Sequence, residues 1–137
     1  MINLVYGANG SGKTQKLIDL ANNEIEKTKG LIVYLDRSNN HRLAVDKRIR
    51  FINTNELGVG NTDTFIGLLT GLIAGNYDIN RIYIDNLHKI IGSTDSEVIT
   101  EVLNKIDKLN DLSDIMFFAV INSEDVAEDM LKGYELV

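Results

Sequence analysis

Cysteine is absent from this sequence, which excludes disulfides, thiolate metal sites and a cysteine nucleophile. Proline is absent too, and no proline-rich linker, internal repeat or low-complexity tract divides the chain. Basic residues are in deficit, since 14 Lys and Arg against 20 Asp and Glu give a formal net charge of −6. That balance argues against a dedicated nucleic-acid binder, whose phosphate contacts need a basic face. Long apolar runs are missing as well. The longest, Phe65 to Ala74, is interrupted by Gly67, Thr70 and Gly71 and is too short to span a bilayer. The chain opens on a strand candidate and not on a basic, then apolar leader, so the expectation is a soluble, cytoplasmic protein without membrane contact. With 44% hydrophobic residues in 137 positions, the composition suits one domain, 1–137, around one core.

What the chain does have is Gly7-Ala8-Asn9-Gly10-Ser11-Gly12-Lys13-Thr14, which satisfies the P-loop pattern G-x-x-x-x-G-K-[ST] at every fixed position. Its context fits, with an apolar strand candidate from Ile2 to Tyr6 before it and a helical pattern over residues 13 to 28 after it. Glycines let successive backbone N–H groups turn toward one centre, and the following helix adds the positive end of its dipole. In this pattern Lys13 serves the β- and γ-phosphates of a nucleoside triphosphate, and the Thr14 hydroxyl is a ligand of the Mg²⁺ that bridges them.

Downstream, the residues alternate between strand and helix patterns. Gly30 is expected to end the first helix in the left-handed conformation. Leu31 to Asp36 reads as a strand buried on both faces, placing Asp36 at its carboxyl end, where open α/β sheets bind ligands; the alternative there is a loop cap. Residues 37–50 are locally basic, with Arg37, Arg42, Lys47, Arg48 and Arg50 against Asp46 alone. A solvated surface is the plain reading, and 37–50 is also the one segment offering a nucleic acid or acidic partner a contact. Ile49 to Ile52 reads as an edge strand and Asn53 to Gly60 as a loop. A second helix is expected from Asp63 to Ala74, capped by Asn61 or Thr62, with Gly67 and Gly71 allowing close approach of a neighbouring element.

Ile82-Tyr83-Ile84-Asp85 is an apolar strand ending in acid, and beside a P-loop it reads as a Walker-B element: Asp85 holds the Mg²⁺ water shell or the Thr14 hydroxyl from the neighbouring strand. Asn86 follows where many ATP-hydrolysing proteins carry Glu, and an amide orients water but cannot take its proton. His88 is the nearby group that titrates close to neutrality. A third helix from Asp95 to Asn110 carries an apolar stripe from Val98 to Leu109, a strand from Ile115 to Ile121 ends in Asn122, and a last helix is expected over Ser123 to Lys132, stopped by Gly133.

Taken together, Gly7 to Thr14, Leu31 to Asp36, Ile82 to Asp85 and Met116 to Asn122 resemble the core of P-loop ATPases of the RecA and KaiC-like, additional-strand type. The resemblance implies a three-layer α/β fold with a mostly parallel sheet of about five strands flanked by helices. It implies that ATP and Mg²⁺ are bound by Gly7, Ala8, Asn9, Gly10, Ser11, Gly12, Lys13 and Thr14, with Thr14 and Asp85 at the metal. Lys13, Asp85 and Asn86 are then the catalytic group, and Asn122 the sensor of the γ-phosphate. The chain departs from the family where the water-activating Glu belongs: Ser38 and Asn86 stand in the two usual slots. Three functions fit these residues: an ATPase core whose turnover is slow or completed by a homo-oligomer or protein partner, a nucleotide-sensing module without turnover, and a small-molecule or nucleoside kinase.

Overall fold

The computed structural model describes residues 2–137. Strand alternation sorts the apolar side chains onto two faces of one sheet. Ile2, Leu4, Val33, Leu35, Ile82, Ile84, Phe117, Ala119 and Ile121 face one way, while Val5, Ile32, Tyr34, Tyr83 and Val120 face the other. Strands that are apolar on both sides need cover on both sides, which a parallel sheet obtains from its crossover helices.

The elements run in chain order as β1 (Asn3–Gly7), α1 (Lys13–Ile25), β2 (Leu31–Asp36), β3 (Arg50–Asn53), α2 (Thr62–Gly75), β4 (Ile79–Ile84), α3 (Leu87–Ile91), α4 (Ser96–Asp111), β5 (Met116–Asn122) and β6 (Glu135–Leu136). Short 3₁₀ turns occupy Arg42–Ala44, Asn55–Leu57 and Glu128–Leu131. The sheet order is β3-β2-β4-β5-β1-β6 and every pairing is parallel. Leu17, Ile18 and Ala21 of α1 pack on one face, together with Val45 and Ile49. The other face carries Phe65, Leu69 and Leu72 of α2, Leu87, Ile90 and Ile91 of α3, and Ile99, Val102, Leu103 and Ile106 of α4. No helix among the described residues is long and apolar enough to cross a membrane.

The α/β class, the parallel sheet of about five strands and the edge position of β3 agree with the sequence reading. Six strands are present, the sixth being the two-residue β6 along β1. The expected last helix over Ser123 to Lys132 is replaced. Asn122 carbonyl accepts from Asp125 and Val126 N–H, the chain extends at Ala127, and a 3₁₀ turn follows. Val126 and Leu131 are both buried. Five residues apart on an α-helix they would point about 140° away from each other, so one continuous helix could not bury both. Gly133 ends the turn with a φ of 95°.

Two glycine expectations are corrected. Gly30 is not left-handed; α1 has already ended, and Gly30 runs against the turn before β4. A Cβ there would lie 2.7 Å from the Asp78 carbonyl, which accepts the Leu31 N–H, and 2.7 Å from Asn80 Nδ2. Gly67 and Gly71 do not bring α2 close to anything, because they face outward with no atom within 4 Å of an added Cβ. Asn61 caps α2 through a reciprocal capping box with Thr64, as one of the two expected caps. These positions predict opposite outcomes for the same change. Gly30→Ala should destabilise by about 1–3 kcal/mol through overpacking against fixed backbone, whereas Gly67→Ala should stabilise by about 0.5–1 kcal/mol through helix propensity. Urea unfolding of the two variants against wild type tests the pair, and a neutral Gly30→Ala would contradict the packing described.

Candidate nucleotide site

The site lies at the carboxyl end of the sheet, where β1, β2, β4 and β5 all stop. A strand that runs into a helix with only five residues between Gly7 and Lys13 has to turn sharply. Gly10 and Gly12 make that turn with φ of 79° and 86°, conformations that any Cβ would resist. Gly12 is the N-cap residue of α1 and has no side chain to cap it, so the first N–H groups of the helix stay open to a ligand. Lys13 is mostly buried, and its Nζ folds back to donate to the Ala8 carbonyl and lies 3.5 Å from Ser11 Oγ.

Thr14 Oγ1 donates to Asp85 Oδ1 at 3.2 Å. The sequence reading had Asp85 on the strand next to the P-loop strand, and the sheet order corrects this: β5 runs between β1 and β4, and Asp85 reaches Thr14 across it. Asp85 is fully buried and further holds the Tyr34 hydroxyl at 3.3 Å and the Asn86 N–H at 2.9 Å. Burial, and then the neighbouring carboxylate of Asp36, push the Asp85 carboxyl above its usual range, while its hydrogen bonds pull the other way. The same burial, with Asp85 and Asp36 nearby, raises the Tyr34 hydroxyl far above its ordinary value, so Tyr34 keeps the proton that it donates to Asp85.

Asn86 has a φ of 54°, the single non-glycine positive φ among the described residues. Its Nδ2 donates to Asp36 Oδ1 at 3.0 Å. Asn122 lies opposite Gly7 in the β1–β5 register, and its Nδ2 reaches Asp125 at 3.4 Å. A cleft of about 390 Å³ opens over the loop, lined by Asn9, Gly10, Gly12, Lys13 and Thr14 on one side and by Asn86, His88 and Asn122 on the other. Its volume falls within the range of small-molecule sites. Gly7, Ala8 and Ser11 complete the loop, with Ser11 N–H donating to the Ala8 carbonyl at 3.1 Å.

The structure therefore brings together the residues singled out in the sequence. Glu124, with His88 a candidate from the sequence for activating water, places both carboxylate oxygens on the Asn9 N–H, at 3.0 and 2.8 Å, and that N–H holds its carboxyl below the ordinary range. Tyr34, and His41 and Lys89 in the lining of the cleft, are added by the structure. Only Tyr34 had a readable signal, since a tyrosine inside a strand buried on both faces must find a partner for its hydroxyl. His88 is half-buried, and burial lowers its imidazole below the usual value. Among the described residues no group of three or more His, Asp or Glu could hold a metal by itself. Of the basic segment, Arg48 pairs with Asp46 at 2.9 Å and with Glu26, and Arg42 lies 5.5 Å from the Phe51 ring centre. Arg37, Lys47 and Arg50 are exposed.

No protein-family model matches the chain, and neither does any curated protein sequence. A solved structure does resemble it, that of the flagellar accessory protein FlaH from Methanocaldococcus jannaschii, with a TM-score of 0.57 at 14% identity. The match covers 95% of this chain and 64% of the FlaH chain. At that identity the likeness is one of fold, and the six-stranded parallel sheet with its flanking helices has a RecA-like P-loop fold.

Proposed function

We propose that this chain binds a nucleoside triphosphate, ATP in the first instance, together with Mg²⁺, and that it hydrolyses the nucleotide slowly or with the help of a second subunit. The observation that carries the reading is the Thr14–Asp85 hydrogen bond, which sets the hydroxyl of a cleft-lining residue beside a carboxylate at the start of α1. Two oxygen donors that leave the remaining positions to phosphate and water suit Mg²⁺, which keeps most of its waters and is rarely caged by protein alone. The loop also fits an anion, for its Asn9 N–H already holds one in the Glu124 carboxylate.

In this reading the N–H groups of the loop and of the first turn of α1 bind and orient the phosphates, and Lys13 leaves the Ala8 carbonyl to meet them. Thr14 and Asp85 hold the metal, which when bound neutralises charge on the phosphates. Tyr34 and the Asn86 N–H fix the rotamer of Asp85, and Asn122 stands at the loop's opposite wall to contact the terminal phosphate. No carboxylate follows Asp85, so water activation lacks the group that is typically worth about 10²- to 10⁴-fold. Slow turnover in the isolated chain follows from that vacancy.

At MgATP about 100-fold above Kd, linkage should add about 2.7 kcal/mol of stability, or about 5 to 10 °C in Tm. Lys13→Ala should remove most of the shift and leave the nucleotide-free fold intact. Thermal unfolding with ATP, GTP and Mg²⁺ reads this directly, and no shift in wild type would sink the proposal.

A second expected outcome concerns pH. Because the fold raises the Asp85 carboxyl above its unfolded value, the ionised side chain destabilises the fold in full above the folded-state pKa and not at all below the unfolded one. Asp85→Asn keeps an acceptor for Thr14 and for the Asn86 N–H but carries no charge. The nucleotide-free variant should therefore be more stable than wild type at about pH 7, with the gain shrinking toward about pH 4, while its Mg²⁺-dependent nucleotide binding is lost. Urea unfolding at the two pH values, compared with wild type, measures the difference. A variant less stable than wild type at neutral pH would contradict this.

A further inference from the structure

Asp36 ends β2 with its side chain wholly buried. Its Oδ1 accepts the Arg37 N–H at 2.7 Å and Asn86 Nδ2 at 3.0 Å, while Oδ2 is buried without a hydrogen-bond partner among the described residues. A buried carboxylate with one idle oxygen is costly. The residue it holds is costly too, since Asn86 sits at φ 54°. Two unfavourable features therefore meet in one side-chain contact, and of its two residues Asn86 lines the cleft together with Lys13 and Thr14.

The chemistry of the contact decides which way the Asn86 amide points. Asp36 Oδ1 already takes the Arg37 N–H, and it presents only lone pairs to the space that Asn86 enters. The amide therefore turns its NH₂ toward Asp36. Asn86 Oδ1 is then the opposite end of the group, and it makes no hydrogen bond within the described residues. An acceptor with a locked orientation results at the cleft, on the half-buried residue that directly follows Asp85.

We propose that Asp36 is a positioning residue, holding the Asn86 amide so that its Oδ1 accepts an O–H of the water that attacks the terminal phosphate. The inference rests on the function proposed above and adds the manner in which water is placed. In that step the water oxygen forms a bond to the γ-phosphorus as the bond to the β–γ bridging oxygen breaks, and the electron pair leaves with the nucleoside diphosphate. Asn86 cannot take the displaced proton, which goes to an oxygen of the phosphate being released.

The test compares Asp36→Leu, which has no acceptor, with Asp36→Asn, whose carbonyl is steered toward Arg37 N–H and Asn86 by the same donors. Single-turnover hydrolysis of MgATP should fall about 10- to 100-fold in Asp36→Leu and stay within about 3-fold of wild type in Asp36→Asn. MgATP affinity, measured separately by calorimetry, should be nearly the same in all three. In the nucleotide-free wild type the Asn86 side-chain NH₂ should give two well-separated, slowly exchanging NMR signals, kept in Asp36→Asn and lost in Asp36→Leu. Where leucine prevents folding, Asp36→Ala takes its place, and the wild-type and Asp36→Asn spectra stand by themselves. An equal loss in Asp36→Asn would show that the charge matters and would overturn the positioning role. So would unprotected Asn86 amide protons in wild type, or nucleotide binding with no single-turnover hydrolysis at all. Absence of nucleotide binding would instead remove the function on which the inference rests.

Discussion

A hydroxyl at the start of α1 and a carboxylate at the end of β4 meet at 3.2 Å with a third strand between the two that carry them. That contact is met only if several longer-range features agree. Gly7 and Asn122 must share a register so that the P-loop leaves the sheet level with β5, and Ile84 must pair with Ala119 so that Asp85 clears the same edge. The loop must then turn within five residues to bring Thr14 back over β5. A shift of one residue in either pairing would send Asp85 to the opposite face of the sheet. The apolar faces of β4 and β5 set that register, and so the core positions the site.

Around the contact, the fold accepts unfavourable local structure. Asp85 and Asp36 are both fully buried, neither with a basic partner among the ion pairs of the described residues, and Asn86 between them has a backbone that most side chains avoid. Elsewhere the chain is locally consistent: α4 has an Asp95 cap and one apolar stripe, and Arg81 ties to Glu24 at 3.1 Å. Strain concentrated at strand ends over a cleft is the usual mark of a functional site.

Much of this was legible in the sequence where periodicity or a fixed motif spoke. Leu31 to Asp36 read as a doubly buried strand and is one, residue for residue. The apolar stripe of α4 gave its limits within one residue at each end, and the glycine spacing from Gly7 to Gly12 marked the turn between β1 and α1. What stayed hidden were elements too short to show a period, such as the five residues of α3 and the two of β6. Gly30, Gly67 and Gly71 were misread because a glycine does not declare whether it serves φ, close approach or neither. The Asp36–Asn86 and Glu124–Asn9 contacts join residues 50 and 115 positions apart, and only the sheet order brings them together.

The proposed function needs a loop that takes phosphate and a hydroxyl–carboxylate pair that takes the metal with it. Calorimetric titration of the nucleotide-free protein with ATP, with and without Mg²⁺, measures both halves at once. It should give saturable one-to-one binding that Mg²⁺ tightens in wild type, and binding that is weak and indifferent to Mg²⁺ in Asp85→Asn. Binding of ATP that is unaffected by Mg²⁺ in wild type, or no binding at all, would contradict it.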